Sequence, residues 1–185
     1  MRTSSVADAE LARRAASGDG GAFGALVDRH APAVRRAARA LLGNEHDADD
    51  AAQDGLLAAW RAIDRYDPAR PFRPWLMRIV LNAARDLQRR GIVRRAEPIS
   101  PAEAAPGMSP ERETDRALIR DKVARALARL PERQRLAVTM FDAEGFAHAE
   151  IADALGIPEG TVRSDVFHAR RALREALGSL LEETR

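Results

Sequence analysis

Ala149-Glu150-Ile151-Ala152-Asp153-Ala154-Leu155-Gly156-Ile157-Pro158-Glu159-Gly160-Thr161-Val162 predicts two helices that meet at a sharp corner. Ala152 is small enough to let two helices cross closely. Gly156, four residues on, can adopt a left-handed turn, and Val162, six beyond that, plugs the angle. Together the three spacings describe a helix-turn-helix. Downstream, Val162, Val166, Ala169, Leu173 and Leu177 recur at helical spacing as one buried stripe, leaving Arg163, Arg170, Arg171 and Arg174 outside. In such a motif the second helix enters the major groove, its N-terminal residues reaching base edges while basic ones meet phosphates. The candidates are Thr161, Arg163, Ser164, Asp165 and His168, with Arg170 and Arg171 beyond them. The bland alternative is a helical hairpin with a solvated arginine face.

The composition around this motif favours helices throughout. Of 185 residues 38 are Ala and only eight are aromatic, and strands would favour the reverse. The expected class is all-α. A proline-bearing stretch from Gly91 to Asp115, with Pro98, Pro101, Pro106 and Pro110, divides the chain. We therefore expect two small helical domains, 1–92 and 114–185, joined by a flexible linker over 93–113. Extended at ~3.4 Å per residue, that linker could reach roughly 80 Å, so the halves need not touch.

Helices are predicted near Asp8–Ser17, Gly21–Leu42, Asp47–Ile63 and Arg73–Arg90, with Pro32 a candidate bend in the second. Asp47 is a competent N-cap for the third, Asp49, Asp50 and Asp54 suit the positive end of its dipole, and Leu56, Leu57, Trp60 and Ile63 supply its buried side. In the second half, Ser109-Pro110-Glu111 should start a helix running to about Leu130, and Pro131 restarts another that ends near Glu144-Gly145. Helices at about Ala147–Leu155 and Gly160–Leu180 follow.

The formal net charge is only +2, but charge is unevenly placed. From Asn44 to Asp54 there are five acidic side chains and no basic one. From Arg61 to Arg95 ten arginines face three aspartates. Phe72-Arg73-Pro74-Trp75-Leu76 leads into a helix whose Trp75, Ile79, Ala83 and Leu87 lie on one side and whose Arg78, Asn82, Arg85 and Arg89 lie on another. An arginine row with one Asn, preceded by Tyr66, Phe72 and Trp75, has the ingredients for holding phosphates and stacking unpaired bases, although the aromatics could equally be core.

Other classes are disfavoured. The chain has no cysteine, which excludes disulfides and thiolate metal sites. No apolar run approaches the ~18 residues of a membrane span, and no leader is evident, so a cytoplasmic protein without membrane insertion is expected. His46-Asp47 hints at a metal-dependent phosphohydrolase, but the other histidines, His30, His148 and His168, do not supply a ligand set. No Gly-rich phosphate loop or nucleophile elbow occurs. Neither catalysis, nor a cofactor, nor a metal is expected.

In order and spacing these segments resemble the bacterial RNA polymerase sigma factors of the extracytoplasmic-function subfamily. Asp47-Ala48-Asp49-Asp50-Ala51-Ala52-Gln53-Asp54 looks like the domain-two segment that binds the polymerase clamp helices. Phe72–Arg90 is similar to the element that melts and reads the minus-ten region. Leu130-Pro131-Glu132-Arg133-Gln134-Arg135, Glu144-Gly145-Phe146 and the helix-turn-helix look like domain four, which reads the minus-thirty-five element. The resemblance implies core-polymerase contacts at Asp47, Asp50, Gln53 and Asp54. It implies minus-ten contacts at Phe72, Arg73, Arg78, Asn82, Arg85, Arg89 and Arg90, with the loop from Tyr66 to Pro74 capturing a flipped base. Minus-thirty-five contacts would lie at Thr161, Arg163, Ser164, Asp165, His168, Arg170 and Arg171. It also implies core RNA polymerase, promoter DNA and an anti-sigma factor as partners. Two alternatives stay open: a sigma mimic that sequesters an anti-sigma factor, or another helix-turn-helix regulator. Asp165 and His168 stand where relatives often carry Arg, and Gly55-Leu56 replaces a larger pair; Asp165 could accept from a cytosine amino group or pair with a neighbouring arginine.

Overall fold

A computed structural model describes residues 2–94, 119 and 122–182, with side chains over 7–91, 119 and 122–178. The described residues are helical, with no strand among them. The first unit holds α1 (Arg2–Ala16), α2 (Gly20–Leu42), α3 (Glu45–Arg61), a 3₁₀ turn (Ile63–Arg65) and α4 (Phe72–Arg94). The second holds a helical stretch at 122–128 (α5), α6 (Glu132–Val138) running into a π turn (Thr139–Ala143), α7 (His148–Leu155) and α8 (Glu159–Glu182). The predicted helix start at Ser109-Pro110 lies outside the described residues. So does the predicted linker, except that its first two residues extend α4.

Local chemistry sets the helix ends. Asp19 caps α2 by accepting from the Ala22 N–H at 3.0 Å, and Gly43 ends it at φ 80°, donating to the Arg39 carbonyl. The cap of α3 is Asn44, not the expected Asp47. The Asn44 Oδ1 accepts from the Asp47 N–H at 2.8 Å while its Nδ2 donates to Asp47 Oδ2 at 2.7 Å, so Asp47 serves in the first turn as the reciprocal partner. Pro32 is accommodated within an uninterrupted α2.

Small side chains let α2, α3 and α4 approach closely: Ala37, Ala38, Ala51 and Ala59 are fully buried. Gly55 is the tightest point. A Cβ built there would lie 2.7 Å from the Val80 Cα, so the α3–α4 crossing admits only hydrogen at this position. The buried face of α4 is Phe72, Leu76, Met77, Val80, Leu81 and Ala84. The predicted stripe of Trp75, Ile79, Ala83 and Leu87 is its half-buried margin, because α4 packs on α2 and α3 together and so buries a broader arc. Tyr66, Phe72 and Trp75 form an aromatic cluster with ring centroids 5.2–5.4 Å apart. Behind it the buried His30 Nε2 and Asp8 Oδ2 lie 3.0 Å apart, joining α1 to α2.

The two units pack against each other. One apolar core passes from α1 through α4 into α6, α7 and α8, and polar contacts flank it. Arg36 of α2 holds Glu144 through both carboxylate oxygens, Arg73 donates to the Glu144 carbonyl, and Arg78 binds the Asp153 carbonyl and side chain. The Glu144 side chain is thereby only 3% exposed although the residue sits in a turn. Arg135 of α6 donates to the Ala40 and Leu41 carbonyls at the end of α2.

Candidate nucleic-acid interface

α7 and α8 form the helix-turn-helix. Gly156 takes φ 69°, its N–H and that of Ile157 both bonding to the Ala152 carbonyl at 2.9 and 3.1 Å, which turns the chain within three residues. Val162 is fully buried in the corner. At the start of α7 Glu150 accepts from the Ala147 N–H at 2.8 Å.

The outward face of α8 carries Arg163, Ser164, His168, Arg170 and Arg171, with Thr161 half-buried at its start. Arg163 pairs with Glu159 at 2.6 Å, Arg171 with Glu175 at 2.9 Å, and Arg170 with Asp142. Pairs this exposed hold only about 0–1 kcal/mol, so these arginines can exchange a carboxylate for a phosphate readily. The sequence reading missed Phe167, which is 64% exposed on the same face and meets His168 edge-to-face at 5.4 Å. Its position, three residues after Ser164 and four before Arg171, was the available signal.

Asp165 does not join this face. Its side chain is 5% exposed and accepts from Arg133 Nε at 2.6 Å and Nη2 at 3.2 Å. That bond raises the Arg133 guanidinium above its ordinary range. Of the two partners considered for this carboxylate, the structure provides the neighbouring arginine.

On α4, Asn82, Arg89 and Arg90 are exposed and Arg85 is half-buried, so the row stays accessible although the units touch. Arg89 pairs with Asp86, and Arg90 bonds to the Asp86 carbonyl at 3.3 Å. Arg73 and Arg78 are engaged by the second unit, Arg73 also lying 3.7 Å over the Phe146 ring. Phe72 corrects an expectation: it is 1% exposed, packed among His30, Tyr66 and Trp75, and presents no surface to DNA. Tyr66 is also buried. Its hydroxyl donates to the Arg70 carbonyl at 2.5 Å and is pushed up to about 12 by burial, helped by Asp8 and Asp67. Of the loop between them only residues 67–71 are open.

The acidic stretch makes a separate face. Asp50, Gln53 and Asp54 point outward on α3, with Asp47 half-buried at the cap. Leu57, expected inside, is 53% exposed on that face, seven residues after Asp50. Among the described residues no cluster of three His, Asp or Glu could hold a metal, and no helix is long and apolar enough to cross a membrane.

Comparison with known proteins fits this layout. Residues 26–91 match Sigma-70 region 2 and residues 120–173 match Sigma-70 region 4. The chain is 43% identical over 177 residues to RNA polymerase sigma factor NccH of Alcaligenes xylosoxydans xylosoxydans, covering 93% of this chain and 95% of that one. The chain belongs to the extracytoplasmic-function sigma factors. It is 41% identical over 176 residues to the sigma factor SigM of Mycobacterium tuberculosis, covering 94% and 86% of the two chains. Among solved structures, the sigma factor CnrH, in complex with the cytosolic domain of CnrY, superposes with a TM-score of 0.72 at 37% identity, covering 94% of this chain and 98% of that one. RpoE of Bartonella quintana, bound to the anti-sigma factor NepR, gives 0.69 at 26% identity, covering 84% and 96%. A sigma factor directs RNA polymerase to promoters in transcription initiation. The family is not one of catalysts.

Proposed function

We propose that this sigma factor divides its work between residues 1–92 and 114–185, with 93–113 as the connection, and that it catalyses no reaction itself. The outward side of α3, with Asp50, Gln53 and Asp54 and with Asp47 at its cap, docks core polymerase, and Leu57 extends that contact. The accessible side of α4, Asn82, Arg85, Arg89 and Arg90, meets the minus-ten region, joined by Arg73 and Arg78 when they leave the second unit. Thr161, Arg163, Ser164 and His168 reach the minus-thirty-five bases with Phe167 beside them, while Arg170 and Arg171 meet phosphates. One observation supports this assignment above the rest: acidic and basic residues occupy separate accessible faces of one chain, as a protein bridging a polymerase and DNA requires.

An anti-sigma factor is proposed as a further partner, because the similar sigma factor RpoE was solved bound to the anti-sigma factor NepR. Acting on core polymerase, the protein is proposed to work in the cytoplasm. The test is transcription in vitro with core RNA polymerase on sheared genomic DNA. Discrete starts that appear only with the protein, and fall at least tenfold with Asp54→Lys, are the expected result. Absence of any start, or full activity of that variant, refutes the assignment.

A further inference from the structure

We infer that Asp165 is a positioning residue that locks the recognition helix to α6 through Arg133, so that this position of α8 reads no base. The inference rests on α8 being the DNA-reading helix.

Its first support is phase. Asp165 follows Val162 by three residues and precedes Ala169 by four, and both are buried, as is Val166 beside it. It therefore belongs to the inward stripe of α8, roughly opposite the Arg163, Ser164, Phe167 and Arg171 surface. A group in that phase cannot reach a base edge while the outward residues occupy the groove.

Its second support is chemistry. A carboxylate 5% exposed needs a partner of opposite charge, and Arg133 supplies two donors from one guanidinium edge at 2.6 and 3.2 Å. This is a planar fork between α6 and α8, and it fixes rotation of one helix against the other more tightly than an apolar contact could. Arg133 keeps 58% of its side chain exposed, so the pair sits at the rim of the apolar contact. Leu130, Val138 and Ala169 form a small apolar cluster, and the main core adds Leu136 and Ala137 of α6 and Val162 and Val166 of α8; the fork adds a direction that apolar contact lacks. A carboxylate turned toward DNA would repel phosphate, whereas one turned inward helps hold the arginine-bearing face against the groove.

The test uses holoenzyme reconstituted from core polymerase and the full chain, on a promoter library randomised across the minus-thirty-five region. Enrichment is scored base by base for the natural protein and for Asp165→Asn, Asp165→Glu, Arg133→Gln and the double variant Asp165→Asn/Arg133→Gln. Asp165→Asn and Arg133→Gln should each lower output by a common factor on the order of tenfold, while base preferences stay as they were. The double variant should be no weaker than either single one, because one bond is lost once. Asp165→Glu should recover most of the output, and it also serves if the other variants fail to fold. Loss of preference at one base pair in Asp165→Asn would make the carboxylate a reader and overturn the inference. Unchanged output with a lowered unfolding temperature would make the pair merely structural and overturn it too. Randomised DNA that the natural protein itself does not select would refute the DNA-reading role of α8, and the inference with it.

Discussion

Replacing Gly55 by alanine sets two opposite effects against each other, and the structure gives their relative size. Alanine is the better helix former by about 1 kcal/mol, and Gly55 lies in the interior of α3. Against that, the new methyl would stand 2.7 Å from the Val80 Cα and 2.8 Å from Val80 Cγ2. Carbon atoms rest at about 3.5–4.0 Å, so α3 and α4 must part by about 1 Å, and a gap of that size forfeits up to about half of each contact well. Overpacking of this kind costs about 1–3 kcal/mol. The contact with backbone cannot be relieved by a rotamer change, so the upper part of that range applies and the net loss is about 1–2 kcal/mol. At about 2–4 °C per kcal/mol for a chain of this size, the unfolding midpoint should drop roughly 2–8 °C. Calorimetry of the full chain measures it. Adding Val80→Ala removes the Cγ2 clash but not the Cα clash, and adds a deletion cost of its own, so the double variant should not regain natural stability. A Gly55→Ala protein as stable as the parent, or more so, would refute the claim that the crossing is closed at this point.

Three further outcomes are expected. Burial lowers the proton affinity of His30 against the opposing pull of Asp8. The unfolded chain therefore binds more protons near and below the ordinary histidine value of 6.5, so stability should fall as pH drops through that value, and denaturant titrations at pH 7.5 and 5.5 should show a smaller fall in His30→Gln. Gly156→Ala meets no atom within 4 Å but must hold φ 69°, so it should cost about 1–2 kcal/mol through backbone strain alone, read as a lower urea midpoint at unchanged slope. Leu57→Asp touches only the surface and should leave stability within about 0.5 kcal/mol while lowering the polymerase retained in a pull-down, and normal retention would remove Leu57 from the docking face.

Legibility in the sequence followed the range of the interaction that decides each feature. The helix-turn-helix was readable because its three determinants, Ala152, Gly156 and Val162, act within one turn and two helices. Among the described residues the helix ends were readable to within a few residues, apart from α1, which begins earlier than its periodicity suggested. The cap of α3 was misplaced because Asn44 and Asp47 are both competent, and only their reciprocal bonds decide between them. Leu57 and Phe72 were misassigned for one reason: amphipathic spacing shows that a helix has two sides, but not how wide an arc its neighbours cover. α3 buries its side chiefly with alanines, leaving Leu57 out, and α4 lies on two helices, drawing Phe72 in. Asp165 shows a different limit. Its phase with Val162 and Ala169 was visible, yet a charged residue is placed on the surface until a partner such as Arg133, 32 positions away, appears. The packing of the two units was invisible, since it rests on contacts such as Arg36 with Glu144, 108 positions apart.

The bond from Arg135 to the last carbonyls of α2 has a bearing on anything that pulls the two units apart. Those oxygens lie in the final turn before Gly43, and their donor comes from the other half of the chain. On separation the oxygens become empty acceptors, and the arginine loses two of its targets. Water can fill both roles, but a binding protein that offers a donor to the helix end and a carboxylate to Arg135 would wedge the halves open at lower cost than solvent does.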